Sequence, residues 1–238
     1  MEKIITYENL RSFAYSSDKL IEGEIKGIVL SFYGLGGMTI YSKDTGTAID
    51  LAKKGIIYVH PYYNPWSWMN DSAVKLTDEI IEVLCDKYKL GENVKIVSSG
   101  GSMGGLSALV YTAYAKIPPV ACITNCPVCD LPYHYTERDD LPRTLYSAFS
   151  TYGGSMDEAL RSASPLHLVN KMPDIPYVIY HCTADLAVNI DKHSAVFVEA
   201  MRAADKQVDF IKVEDRGHCD LSPTAALAYF NSLCAPLE

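Results

Sequence analysis

A chain of 238 residues suits one large domain or two small ones, and with 48% hydrophobic and 21% charged residues it can fill a core and leaves little room for extensive disorder. Its 21 Lys and Arg against 29 Asp and Glu give a net charge of −8, which argues against nucleic-acid or anionic-membrane partners, since either needs a basic footprint. No apolar run reaches the roughly 18 residues that span a bilayer. The opening MEKIITYENLRSF has no apolar h-region and no small-residue cleavage site, so a soluble, cytoplasmic protein is the expectation.

In chain order, residues 1–25 alternate weakly and can supply one or two antiparallel edge strands. Strands are predicted at 26–33 (KGIVLSFY) and 55–60 (GIIYVH), then a helix over 71–89 that gathers Val74, Ile81 and Leu84 on one side. A strand at 94–99 and a helix at 103–115 follow, then a strand at 119–124. Between 125 and 172 the rhythm breaks, with prolines and polar residues and room for one or two short helices. The pattern resumes with a strand at 176–182, a helix at 191–205 opening on Asp191 as its cap, a strand at 208–213, and a helix at 222–234 opening on Ser222-Pro223. Near-continuous hydrophobicity marks strands buried on both faces. The alternation predicts a single α/β domain over 1–238, its mostly parallel sheet flanked by helices, with 125–172 as a lid-like insertion.

Gly100-Gly101-Ser102-Met103-Gly104 is a G-x-S-x-G set between a predicted strand and a predicted helix. That placement holds a serine on a sharp turn with its hydroxyl above the sheet, and the helix start directs amide dipoles at the same point. A serine nucleophile needs a base and an orienting carboxylate, expected in the order Ser, Asp, His on later strand ends. Asp185 follows strand 176–182 and His218 follows strand 208–213. His60 and His181 end strands and more often bond locally; His193 opens a helix; His134 and His167 fall in the insertion; Asp191 is the rival acid. The oxyanion donors expected are the backbone N–H groups of Met103 and of Leu35, the latter in the loop Tyr33-Gly34-Leu35-Gly36-Gly37.

The seven cysteines, an odd number, read as reduced thiols. Cys122, Cys126 and Cys129 have an iron–sulfur spacing, but Cys122 lies inside an apolar strand pattern, so neither a cluster nor another metal is expected.

On these motifs the chain resembles the α/β-hydrolases, and is similar to small serine esterases and peptidases of the prolyl-oligopeptidase and dienelactone-hydrolase branch. The resemblance runs from the loop at 33–37 to His218 and implies nucleophile Ser102, acid Asp185, base His218 and no cofactor. Tyr33 stands where many relatives carry His, and Ser102 stands where dienelactone hydrolases carry cysteine. Tyr33, Tyr62, Trp66 and Trp68 either line a substrate pocket or pack the insertion onto the core. The expected reaction is hydrolysis of a small carboxylic ester, an acylated sugar among the candidates. A serine exopeptidase would need an acid such as Glu137, Asp139 or Asp140 to grip an amino terminus, and a non-catalytic binder would have no need of all three groups.

Overall fold

The structure, a computed structural model, describes residues 4–91 and 93–238. Its organising element is a seven-stranded sheet of order β1-β3-β2-β4-β5-β6-β7. The strands are β1 (Ala14–Ser16), β2 (Gly27–Phe32), β3 (Ile56–Pro61), β4 (Ile96–Gly101), β5 (Ala121–Asn125), β6 (Tyr177–Cys182) and β7 (Val208–Val213). All pairings are parallel except β1 with β3, so the N-terminal segment contributes one antiparallel edge strand. Residues 1–3 of that segment lie outside the described residues.

Alternate side chains along each strand feed two separate cores. Ile28, Leu30, Ile57, Val59, Ile96, Cys122 and Ile179 face one side. There they meet α2 (Asp71–Tyr88), α3 (Met103–Tyr114) and α7 (Val196–Ala203). Val29, Ile56, Tyr58, Val97, Ile123 and Tyr180 face the other, under α1 (Gly46–Lys53) and α8 (Pro223–Cys234). Burial on both faces is why β2 to β6 read as continuous apolar runs. The edge strand β7 instead exposes Asp209, Ile211 and Lys212, charges that discourage another strand from pairing there.

Local signals explain most helix ends. Asn70 and Ser222 accept hydrogen bonds from Ala73 and Ala225, capping α2 and α8. Helix α1 is not expected from sequence: it is eight residues long and buries only Ala48, Leu51 and Ala52, too short a stripe to register as a periodic pattern. The helix predicted over 191–205 begins instead as a π-turn, Asp191–Ala195, before α7. Asp191 is not its cap; the side chain of Asn189 accepts from the Asp191 and Lys192 amides.

The insertion holds three short α-helices rather than one or two, α4 (Leu131–Glu137), α5 (Leu141–Phe149) and α6 (Met156–Ser162), followed by two single 3-10 turns at Pro165–His167 and Val169–Lys171. Leu131, Leu141, Leu145, Phe149 and Leu160 join the core beneath them, so the segment is packed down and not draped over the sheet. No helix among the described residues is long and apolar enough to cross a membrane.

Candidate active site

Chain order reverses in the sheet between β2 and β4, since β3 lies on one side of β2 and β4 on the other. The carboxyl ends of strands at such a switch point splay their loops apart and leave a crevice. Two glycine-rich turns meet there. Ser102 sits between β4 and α3 with φ 58° and ψ −127°, a backbone state that disfavours side chains. A Cβ at Gly104 would lie 2.2 Å from the Phe32 carbonyl oxygen, and one at Gly100 would lie 2.3 Å from that of Gly104. The turn therefore closes only with glycine at both positions. Ser102 N–H donates to Asn125 O at 3.0 Å, while Ser102 O accepts from Gly105 and Leu106 and starts α3.

The loop after β2 folds onto this turn. Gly37 N–H donates to Gly34 O and Gly36 N–H to Pro65 O, each at 3.0 Å. A Cβ at Gly34 would stand 3.7 Å from that of Ser102. Among the described residues, neither Leu35 N–H nor Met103 N–H has a hydrogen-bond acceptor. Both expected donors are thus uncommitted beside the serine.

Asp185 and His218, 33 positions apart, meet where β6 and β7 end: His218 Nδ1–H donates to Asp185 Oδ2 at 2.7 Å. Asp185 is buried, and its other oxygen accepts from Ala187 N–H at 2.8 Å and Val188 N–H at 3.0 Å. Burial works against the charged carboxylate, but hydrogen bonds from His181, His218 and these amides outweigh it and hold the pKa well below the usual range. The same carboxylate, with the Cys126 thiol as second partner, raises His218 from 6.5 to about 9 against the opposing effect of burial. His218 Nε2 lies 3.8 Å from Cys219 Sγ, and no hydrogen bond joins it to Ser102 Oγ among the described residues. Cys219 Sγ in turn packs against the turn, 3.1 Å from where a Gly101 Cβ would be. Asp191, the rival acid, is exposed and has no contact with His218.

The remaining histidines are committed elsewhere. His181 is fully buried, with Nε2–H directed at Val188 O (3.1 Å) and Asp185 Oδ2 (3.4 Å) and Nδ1 accepting from Ser194 Oγ at 2.7 Å. It is a second support for Asp185 that sequence reasoning set aside; the signal was its position four residues before the acid. His60 is boxed by the rings of Tyr33, Tyr41 and Tyr62, and burial pushes its pKa down to about 4. His134 Nδ1–H and His193 Nε2–H both donate to Glu137 Oε2, at 2.6 and 3.1 Å. His167 accepts from Arg161.

Of the aromatic candidates, Trp68 is corrected. It is fully buried, its Nε1–H donates to Thr144 Oγ1 at 3.0 Å, and its ring meets His134 edge-on, so it pins the insertion and lines no pocket. Trp66 is 40% exposed beside Gly36, Tyr62 accepts from Tyr41 N–H, and Tyr33 stacks on Tyr63 and donates to its carbonyl. Trp66 and Tyr33 therefore lie at the glycine loop, and Tyr62 lies beside His60. An open cleft beside His218 is lined by Arg138, Ala184, Leu186, Ala187 and Gly217, with Leu186 wholly exposed. The three cysteines of the iron–sulfur spacing do not converge: Cys122 and Cys129 belong to one core and Cys126 to the other, across the sheet.

Residues 74–235 match the prolyl oligopeptidase family of serine hydrolases. The chain belongs to that family. Solved structures with the same α/β-hydrolase fold include an acylaminoacyl peptidase of Pyrococcus horikoshii, 16% identical, TM-score 0.67, covering 83% of this chain and 34% of that one. Dipeptidyl peptidase 4 of Porphyromonas gingivalis is 14% identical, TM-score 0.70, covering 94% of this chain and 33% of that one. A thermophilic esterase of Thermogutta terrifontis is 21% identical, TM-score 0.66, covering 92% of this chain and 83% of that one. The chain therefore spans about a third of the length of these peptidases and most of that of the esterase. A search of curated protein sequences finds no significant match. As a prolyl oligopeptidase family member the chain carries the family's hydrolase fold, with esterases and peptidases among its structural neighbours.

Proposed function

We propose that this family member hydrolyses small carboxylic esters through an acyl-Ser102 intermediate. His218 Nε2 takes the proton of the Ser102 hydroxyl as the oxygen attacks the carbonyl, a contact that tightens when substrate enters. Leu35 and Met103 N–H stabilise the oxyanion. The imidazolium then protonates the departing alcohol, and the neutral ring activates the water that releases the acid. Asp185 keeps the Nδ1 proton in place throughout and stabilises the imidazolium. No cofactor enters these steps.

The observation that carries serine hydrolysis is the Asp185–His218 hydrogen bond at 2.7 Å at the crevice that also holds the strained Ser102 turn. Ester rather than peptide is favoured because two of the three acids named for an amino-terminus grip are already engaged, leaving the exposed Asp139 as the one still available. Glu137 is taken up by His134 and His193, and Asp140 by Arg138 through two hydrogen bonds of 3.0 and 2.6 Å. An exopeptidase needs such carboxylates free to bind an amino terminus. The apolar residues beside His218, Ala184, Leu186 and Ala187, suit an uncharged acyl or alcohol group.

The test is a panel of p-nitrophenyl esters of increasing acyl length beside aminoacyl-nitroanilides. Ester turnover that is lost in Ser102→Ala supports the reading. Preferential anilide cleavage would replace it with a peptidase, and silence on both from folded protein would leave a binding role.

A further inference from the structure

Three groups of His, Cys and acidic side chains among the described residues bring donor atoms within 4.8 Å of one another. Two are filled from within. In the group His134, Glu137 and His193, the Nδ1 of His193 accepts from the Cys129 and Asp130 amides at 3.1 and 3.2 Å, so its proton is fixed on Nε2 toward Glu137. In the group Cys126, His181 and Asp185, the proton of His181 is fixed on Nε2 by the Val188 carbonyl. His134 likewise turns its Nδ1–H to Glu137, so none of the three rings offers a metal the nitrogen that faces its neighbours. The group of Cys126, His218 and Cys219 differs. Asp185 accepts from His218 Nδ1–H, so Nε2 is the nitrogen that faces the two thiols, and its own proton is the one a metal displaces.

The geometry points to a site for one thiophilic divalent cation of the zinc or cadmium type, held by Cys126 Sγ, Cys219 Sγ and His218 Nε2, whose occupation silences the hydrolase. Zinc–sulfur bonds of about 2.3 Å and a zinc–nitrogen bond of about 2.0 Å set donor separations of roughly 3.5 to 3.8 Å in a tetrahedron. Cys219 Sγ and His218 Nε2 already stand 3.8 Å apart. The surroundings are those of a metal site as well. A carboxylate on the far nitrogen orients a ligating histidine, and Cys126 Sγ accepts the Cys182 and Cys219 amides at 3.4 Å each, donors that a metal-bound thiolate would keep. The Cys219 thiol and burial hold the metal-free Cys126 thiol protonated, so the metal displaces that proton. Cys126 and Cys219 both hold left-handed backbone, φ 47° and 57°, where glycine would be unstrained and a side chain is retained at a cost. His218 and Cys219 are only partly buried, which leaves a path from solvent.

Binding releases the two thiol protons and the Nε2 proton of the charged ring to solvent, forms two metal–sulfur bonds and one metal–nitrogen bond, and leaves a fourth position to water. The Nε2 lone pair is then unavailable to Ser102. The silencing rests on the proposed role of His218 as base; the binding does not.

The experiment titrates cobalt(II), a spectroscopic stand-in, and then zinc into reduced full-length protein. Expected are one equivalent bound, a near-ultraviolet sulfur-to-cobalt charge-transfer band, and ester hydrolysis that falls with zinc occupancy and returns with EDTA. Cys126→Ser and Cys219→Ser should each weaken binding at least about tenfold. Cys219→Gly suits the left-handed backbone, so the same loss there reports a missing ligand and not a misfolded chain. Ser102→Ala should bind as the wild type does. An absent charge-transfer band, thiol variants that bind unchanged, or hydrolysis that persists at full zinc occupancy would each overturn the inference. A wild type without ester or anilide turnover would sink the hydrolase reading while the cobalt measurement still decided the site.

Discussion

Asp185 is held by four donors at once, the side chains of His181 and His218 and the amides of Ala187 and Val188, so its charge and its orientation are set together. Changing it to asparagine should leave a folded protein that is slower by about 10³- to 10⁴-fold, since the amide no longer keeps the imidazole in the working tautomer. Asp191→Asn should cost only the few tenths of a kcal/mol that an exposed acid in a first helical turn contributes, at most about 1, with hydrolysis unchanged. Kinetics on the two purified variants separate them, and a crippled Asp191→Asn beside a working Asp185→Asn would remove Asp185 from the mechanism. The same ion pair fixes the pH behaviour. Because His218 is raised from 6.5 to about 9, kcat/KM should climb through an alkaline limb near 9, and Asp185→Asn should move that limb down toward 6.5. Stability runs the other way. The contribution of a raised histidine is full below 6.5 and is lost as pH rises toward 9, whereas that of the depressed Asp185 is present above 3.8 and lost as pH falls well below it. Denaturant melts at pH 6 and pH 9.5 should show the higher-pH sample less stable in the wild type, with a smaller gap in His218→Ala.

Between β6 and α7, the π-turn Asp191–Ala195 brings two successive buried side chains to distant partners: His193 reaches the partly buried Glu137 in α4, and Ser194 reaches His181, which supports Asp185. One turn thus ties the insertion to the acid. Glu137 is central to the tie. Burial opposes its charge, yet the two histidines bring its pKa down to about 2. Removing it as Glu137→Ala should cost roughly 1–3 kcal/mol, because both imidazole N–H groups lose their acceptor. Hydrogen exchange should rise across 131–149 well before it rises in the sheet; uniform protection would show that the insertion is held by its leucines alone. None of this was legible in the sequence. The sequence places His193 early in a helix and leaves Glu137 among three acids without an assigned partner, because a contact across 56 positions leaves no local pattern. The choice between pocket and packing for Trp68 stays open in the sequence for the same reason, its partner Thr144 being 76 positions away.

For the molecule as a whole, the strands β2 to β7 were legible to within about two residues, β2 to β6 because burial on both faces removes polar positions from the pattern, whereas the short edge strand β1 was not placed within 1–25. Strand ends then pointed to Ser102, Asp185 and His218 without any contact information. What stayed hidden was lateral neighbourhood. Cysteines at 122, 126 and 129 looked like a group, whereas the sheet separates them and gathers Cys126, Cys182 and Cys219 instead. Their thiols are all free, so reductant should leave both hydrolysis and melting temperature unchanged, as parallel assays with and without a phosphine reductant would show. The backbone at Ser102 has a consequence for the history of such a chain. Relief of its strained φ and ψ is worth about 1–3 kcal/mol, against about 0.5–1 kcal/mol for the extra freedom glycine has when unfolded. Ser102→Gly should therefore be inert toward a fluorophosphonate yet melt a few degrees higher, and a descendant released from selection for turnover would gain stability by drifting to glycine at this position.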